Sequence, residues 1–279
     1  MTTQKLSLEL VRVQNGKQTT RDAPAHCSST MKQGARNLRD GSMKMLLLAL
    51  LLTTVLRGQN SGTTVSITDT DEVRAGQILA KEFAQKEGMR STPQTTKIDE
   101  YLQAVGDRVA AHAQRKLPYR FHFDPSPAFK SAVGLPGGQI FVGGGILAYI
   151  DSEDQLAAVL GHEVEHITLN QCRDRLIKVL AEKHLSTDKL EELKVDDFLP
   201  GYGHDNELAA DREGVKLAME AGYSPKGAIR LLRTFVILGQ QMPNTPAEGQ
   251  KRLEERIGQI EPLSNQREVQ VSEKPLSLP

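Results

Sequence analysis

Tryptophan is absent from this chain, and aromatic residues make up only 4% of it. Net charge is absent too, since 35 Lys+Arg stand against 35 Asp+Glu. That balance gives no electrostatic case for nucleic acid as a partner. Cysteine is scarce. Cys27 and Cys172 exclude a disulfide-stapled mini-protein and neither demand nor exclude an oxidising compartment. Long apolar runs are missing: Met45 to Leu56 has 12 residues even counting both threonines, whereas a membrane-spanning helix needs about 20. A polytopic membrane protein is therefore excluded. What is present is ordinary for a globular chain, with 279 residues, 38% hydrophobic and 25% charged. That length suits one domain or two small ones and can bury a real core.

The charge is unevenly placed. Residues 1–57 hold nine basic and three acidic residues, leaving 26 basic and 32 acidic in 58–279, and no aromatic precedes Phe83. Met43-Lys44-Met45 followed by the leucine-rich run has the shape of a secretory signal: a short basic segment, then roughly 7–15 apolar residues. The expectation is a polar leader over 1–42 that is not translated, the true start being Met43 or Met31. A signal peptide or short anchor follows over 43–58, then a Gly/Ser/Thr-rich linker over 59–70, a folded domain over 71–261 and a disordered tail over 262–279. The chain is then exported, periplasmic or membrane-associated.

Within the domain, apolar spacing predicts helices over Asp71–Gln85 and Lys97–Arg115. Tyr119–Phe123 alternates as a strand, and Leu135-Pro136-Gly137-Gly138 turns into a second strand, Gln139–Val142. A short helix follows near Ile146–Ile150. Ser152 and Gln155 have capping-box spacing, so a helix runs from there to about Thr168. Further helices are expected over Cys172–His184, 206–221 and 225–238, with Gly222 ending one and Pro225 opening the next. Gly143-Gly144-Gly145-Ile146-Leu147-Ala148 fits a dinucleotide-binding glycine pattern, but the repeated βα units of that fold are missing, so the glycines are read as a tight connection.

The capped helix carries His162-Glu163-Val164-Glu165-His166. Two histidines at i and i+4 share one helical face and can reach one tetrahedral ion. Glu163, about 100° around the helix, can approach the attacking water as general base without ligating the metal. With 7 His and 20 Glu in the chain, random placement gives this pattern in roughly 1% of such chains. Catalytic zinc takes three protein ligands, and His184, His204 and Glu207 are the downstream candidates. Asp211, one turn beyond Glu207, can accept the free N–H of a ligating imidazole.

His162-Glu163-x-x-His166, then Glu207-x-x-Ala210-Asp211, then Ala221-Gly222-Tyr223-Ser224-Pro225 resemble the CAAX-prenyl-protease and heat-shock membrane peptidase family, a gluzincin group. Ala132-Val133-Gly134-Leu135-Pro136-Gly137-Gly138-Gln139-Ile140-Phe141-Val142 is similar to that family's A-F-x-L-P-G-G-x-I-F-V segment. The likeness runs from about Glu72 to Ile257. It implies an α+β fold, mostly helical, with a gluzincin-like metallopeptidase core and a small β-sheet. It also implies one Zn²⁺ per chain held by His162, His166 and Glu207, with Asp211 as support and Glu163 as catalytic base. The activity implied is zinc-dependent endopeptidase action on unfolded or extended proteins, in quality control of exported or membrane-associated proteins.

Two departures bear on mechanism. Ser131 stands where the family often has Asn, and Asn244-Thr245-Pro246 lacks the family's His before Pro. Transition-state donors are then sought in His204, Arg252 and Arg256, and Gln139, Ile140, Phe141 and Val142 are the expected substrate-pairing strand. The missing His is also the support for a different reading, a zinc-binding but non-catalytic chaperone or assembly factor. The intact Glu163 argues against it, because a binder needs ligands but no base.

Overall fold

The computed structural model describes residues 66–241, 246–265 and 275–279. The expectations for the leader, the signal segment, most of the linker, Cys27, Asn244 and Thr245 lie outside the described residues. No helix among the described residues is long and apolar enough to cross a membrane.

Helix α1, Asp69–Lys86, starts on a full capping box between Thr68 and Asp71, with acids in its first turn and Lys86 in its last. Helix α2, Pro93–Ala110, is capped by Thr92 and has Pro93 at its first position. It begins a turn before the predicted Lys97 and stops short of Arg115. Arg115 instead turns back onto α1, where it pairs with the fully buried Glu72 at 2.7 Å.

Three strands follow: β1 (Arg120–Asp124), β2 (Ala132–Leu135) and β3 (Gln139–Gly143). Their order is β1-β3-β2, with β1 parallel and β2 antiparallel to β3, and both Phe121 and Gly134 opposite Ile140. The β2–β3 turn needs Gly137, whose φ is 70° and where a Cβ would sit 2.4 Å from the Cα of Val73 on α1. The Gly137 N–H donates to the Glu72 carboxylate at 3.2 Å, so α1 grips the turn directly.

β3 is the central strand. All five of its residues are buried, and its backbone is paired on both sides. This corrects the expectation that Gln139, Ile140, Phe141 and Val142 form a free edge for substrate: a strand with two ladders has no groups left to add a third. The Gln139 side chain is also engaged, 2.9 Å from His122 Nε2. The edge beside the HExxH helix belongs to β2, which the sequence reading missed as a separate strand.

Side chains alternate across β3. Ile140 and Val142 join Phe121 and the buried faces of α2 and the HExxH helix. Phe141 points the other way, onto Phe83 and Leu79 of α1. After β3, Gly143 and Gly145 pass hard against the 127–129 loop: a Cβ on Gly143 would lie 2.0 Å from the Phe129 carbonyl oxygen. The glycine repeat thus serves a tight connection into the short helix α3, Gly144–Leu147.

The HExxH helix is α4, Glu153–Thr168. Only half of the expected capping box forms. Ser152 Oγ accepts from the Gln155 N–H, but Gln155 Oε1 accepts from the Asp151 N–H at 2.7 Å, one residue outside the cap. Asn170, left-handed at φ 62°, turns the chain into α5, Gln171–Glu182. Two short 3₁₀ turns lead to α6, His204–Glu220, and then α7, Lys226–Gln241. Pro225 therefore precedes α7 rather than opening it.

Helix α8, Ala247–Ser264, was not predicted, and it buries Leu253, Ile257 and Ile260 against α6 and α7. The disordered tail expected from residue 262 needs correcting at both ends of what is described. α8 continues through Pro262 to Ser264. Further on, Pro275 bridges Ser152, and the Leu276 N–H donates to the Asp151 carbonyl at 3.0 Å.

Candidate active site

The site exists because α4 and α6 cross almost backbone to backbone. Gly161 of α4 faces Gly214 of α6. A Cβ on Gly161 would lie 2.5 Å from the Gly214 carbonyl oxygen, and one on Gly214 would lie 2.6 Å from the His162 nitrogen. Without side chains at the crossing, the His162–His166 face of α4 meets the Glu207–Asp211 face of α6.

Three donor atoms converge there. His162 Nε2 and His166 Nε2 are 2.9 Å apart. The Glu207 carboxylate lies 3.5 Å from His162 Nε2 and 3.8 Å from His166 Nε2. Two atoms bonded to one tetrahedral ion at about 2.0–2.1 Å stand ~3.3 Å apart, and these separations bracket that value. The outer nitrogens fix the tautomers. His162 Nδ1 is 2.9 Å from Asp211 Oδ1, and His166 Nδ1 is 2.6 Å from Gln171 Oε1. Both partners are acceptors, so each neutral ring carries its proton on Nδ1 and aims a lone pair inward from Nε2. Two inward lone pairs and a carboxylate suit a cation. His162, His166 and Glu207 are the group among the described residues that could hold a metal ion.

Asp211 does more than hold His162. Arg256, from α8, donates to both its oxygens, one of these bonds at 2.8 Å, and lies 3.6 Å from Glu207. Burial opposes ionisation of Asp211, but the Arg256 charge and hydrogen bonds, with His162, hold it well below the usual carboxylate range. Glu207 is likewise resisted by burial and pulled down to about 2 by His162, Arg256 and His166. Burial disfavours a charged His162 as well, yet Asp211 and Glu207 lift it to about 10 in the metal-free chain. His166, desolvated and beside charged His162, falls to about 4.

Glu163 lies next to this cluster, with its carboxyl against Gly134 of β2. Burial pushes its carboxyl up to about 7, opposed by the His162 charge and reinforced by Glu207, and it accepts a hydrogen bond from the Gly134 N–H of β2. Buried beside the donor cluster, it titrates near neutrality, as a general base should.

A family model described as peptidase family M48 matches residues 96–267. The chain belongs to peptidase family M48. The beta-barrel assembly-enhancing protease of Escherichia coli strain K12 is 28% identical over 112 residues, which is 40% of this chain and 22% of that protein. The mitochondrial metalloendopeptidase OMA1 of Schizosaccharomyces pombe is 30% identical over 174 residues, 56% of this chain and 50% of that one. A beta-barrel assembly-enhancing protease of Yersinia pestis is 21% identical over 214 residues, 68% of this chain and 42% of the relative. The chain thus spans half or less of the length of these relatives. Helix α1 precedes the stretch that the M48 model matches, yet its fully buried Glu72 holds both Arg115 and the β2–β3 turn.

The remaining candidates separate in space. His184 is exposed, left-handed at φ 54°, in the turn after α5, and it is not in the donor cluster. His204 starts α6 and pairs with Glu255 of α8 at 2.8 Å. Arg252 reaches Glu248, 3.2 Å away on its own helix. Ser131 Oγ turns back to the Ala132 carbonyl at 3.0 Å. Sequence reasoning missed Gln171, which no spacing rule connects to His166 because the Asn170 turn intervenes. It also missed the Gly161–Gly214 crossing, although a glycine inside each helical pattern was a visible signal of close approach.

Proposed function

We propose that this M48 chain is a zinc metalloendopeptidase that cleaves unfolded or extended segments of exported or membrane-associated proteins, in protein quality control. The observation that carries this reading is the donor cluster with the buried Glu163 beside it. Ligands alone would suit a storage or structural site, and the neighbouring base suits hydrolysis. Imidazole, imidazole and carboxylate are zinc's usual ligands in catalytic sites. Bound by His162, His166 and Glu207, zinc supplies Lewis-acid polarisation of the scissile carbonyl and acidifies the attacking water. Glu163 takes the water's proton and passes it to the leaving amine. Asp211 and Gln171 keep both imidazoles in the ligating tautomer, and Arg256 keeps Asp211 ionised.

Substrate alignment falls to β2. The Gly143 N–H bonds the Ser131 carbonyl, so by antiparallel alternation Val133 and Leu135 pair inward, and Ala132 and Gly134 direct their backbone groups away from β3. The Gly134 N–H is taken by Glu163 and its carbonyl by Cys172 Sγ at 3.5 Å. Ala132 therefore offers the edge to an extended peptide, through its N–H and through a carbonyl that already accepts from Ser131 Oγ, and main-chain pairing of that kind reads little sequence. A relative named as a beta-barrel assembly-enhancing protease and another named as a metalloendopeptidase support the quality-control reading. Export rests on the signal-like segment at 43–58, and N-terminal sequencing of the mature protein, expected to start between Gln59 and Val65, tests it. The activity is tested by degradation of a labelled unfolded protein. Chelation should abolish cleavage and added zinc restore it. No cleavage by protein with measured zinc would contradict the proposal.

A further inference from the structure

We propose that Tyr202, backed by Arg175, is a positioning residue of the metal site: it fixes the plane of the His166 ring and, through the same loop, the approach of Glu207. The inference rests on the reading of His162, His166 and Glu207 as metal ligands.

His166 is tethered at Nδ1 by Gln171. One hydrogen bond in the ring plane sets the tautomer but restrains only in part the rotation of the ring about the bond that joins it to the chain. Tyr202 supplies the missing restraint. Its ring is stacked on the imidazole with centroids 4.3 Å apart and planes 23° from parallel. The Arg175 guanidinium carbon is 4.2 Å from the Tyr202 centroid. Two groups that close cannot share one face, so Tyr202 is held between Arg175 and His166, with cation–π attraction on the outer side.

Arg175 also anchors the loop that carries Tyr202. It donates to the carbonyls of Phe198, Pro200 and Gly201, two of these bonds at 3.1 and 3.0 Å. The Tyr202 hydroxyl lies 3.0 Å from Cys172 Sγ, which ties the ring to α5 a second time. Immediately afterwards comes Gly203, the N-cap residue of α6, which supplies no side-chain cap. The loop that leads into the first turn of α6, three residues before Glu207, is held by the Arg175 clamp and not by a capping side chain. A single sandwich thus aligns ligands that come from two different helices.

The test uses the full chain, loaded with Co²⁺ or Zn²⁺. The readouts are the visible spectrum of the cobalt form, the rate of metal loss to a chelator, and circular dichroism for fold. Tyr202→Phe keeps the ring and should lose metal within about twofold of wild type. Tyr202→Leu removes the stack. It should shift the cobalt spectrum and speed metal loss ~10–100-fold, the range typical when a supporting group around a metal ligand is removed. Arg175→Lys keeps the charge but not the flat, forked donor and should fall between them. A purely structural role would lower the melting temperature of the metal-free chain and leave the cobalt spectrum alone. A folded Tyr202→Leu protein with wild-type spectrum and loss rate overturns the inference. Should that variant not fold, wild-type behaviour of Arg175→Lys overturns it equally. A wild type that takes up neither metal removes the ligand assignment itself, and this inference with it.

Discussion

Replacing Gly214 by alanine should loosen the metal site without replacing a ligand. The new Cβ would lie 2.6 Å from the His162 nitrogen, 2.7 Å from the Gly161 carbonyl carbon and 2.8 Å from the His162 Cα. All three are backbone atoms in a helix and cannot rotate away. Ordinary non-bonded contacts stand at about 3.5–4.0 Å, so α4 and α6 must separate by about 1 Å. His162 Nδ1 is 2.9 Å from Asp211 Oδ1, and a shift of that size along the contact takes it to ~3.9 Å, beyond a hydrogen bond. Overpacking of this kind costs about 1–3 kcal/mol, which in a domain of this size lowers the melting temperature by roughly 2–12 °C. Loss of the Asp211 contact should weaken zinc binding about 10–100-fold. Thermal melts of metal-free protein and chelator competition for zinc measure the two effects separately. Gly258→Ala is the control. That glycine is exposed on α8 with open space where the Cβ would go, and alanine there should stabilise by about 0.5–1 kcal/mol. A Gly214→Ala protein with wild-type zinc affinity would refute the crossing argument.

Asp211→Asn should retain the fold and weaken zinc about 10–100-fold, read by the same competition. Glu207→Ala should lose much of the metal by elemental analysis while His204→Ala keeps it; equal loss in both would mean a wrong third ligand. Arg256→Leu leaves the Asp211 and Glu207 carboxylates buried without their guanidinium, a change worth about 3–5 kcal/mol in denaturant unfolding. Arg256→Lys should rescue it only in part, because one ammonium cannot match a forked contact. His162 is held charged up to about 10, against burial, by Asp211 and Glu207, and it must shed that proton to ligate. Zinc affinity should therefore climb ~10-fold per pH unit between about pH 7 and 9, and a flat profile would contradict the proton count.

The parts of the site legible in the sequence are those set by local geometry. His162, Glu163 and His166 declare themselves because i, i+4 spacing is a property of any helix. Gly137-Gly138 announces a turn for the same kind of reason. Glu207 and Asp211 could be read as one helical face, but their distance from His162 came only from the family resemblance, since nothing local brings α6 to α4. What the sequence concealed is tertiary. Gln139–Val142 could be read as a substrate-pairing edge because nothing local names its neighbours, and only the pairing of β1 and β2 on either side shows it to be central. Helix α8 escaped notice because Leu253, Ile257 and Ile260 are spread through a strongly charged segment. With that helix hidden, Arg256 had no address, and its two carboxylate partners could not be foreseen.

Glu163→Gln tests the account most directly. The amide matches the carboxylate in size and leaves the three metal ligands, Gly134 and the β2 edge in place, yet it cannot accept a proton from water. Wild type and variant should carry the same zinc, measured by elemental analysis, and melt alike. Cleavage of a labelled unfolded protein should fall by at least ~10²–10⁴ in kcat. If the variant, with its zinc and fold intact, degrades that substrate at the wild-type rate, Glu163 is not the base. If neither protein cleaves any substrate tried and both suppress its aggregation equally, the chain binds zinc and unfolded protein without hydrolysing it.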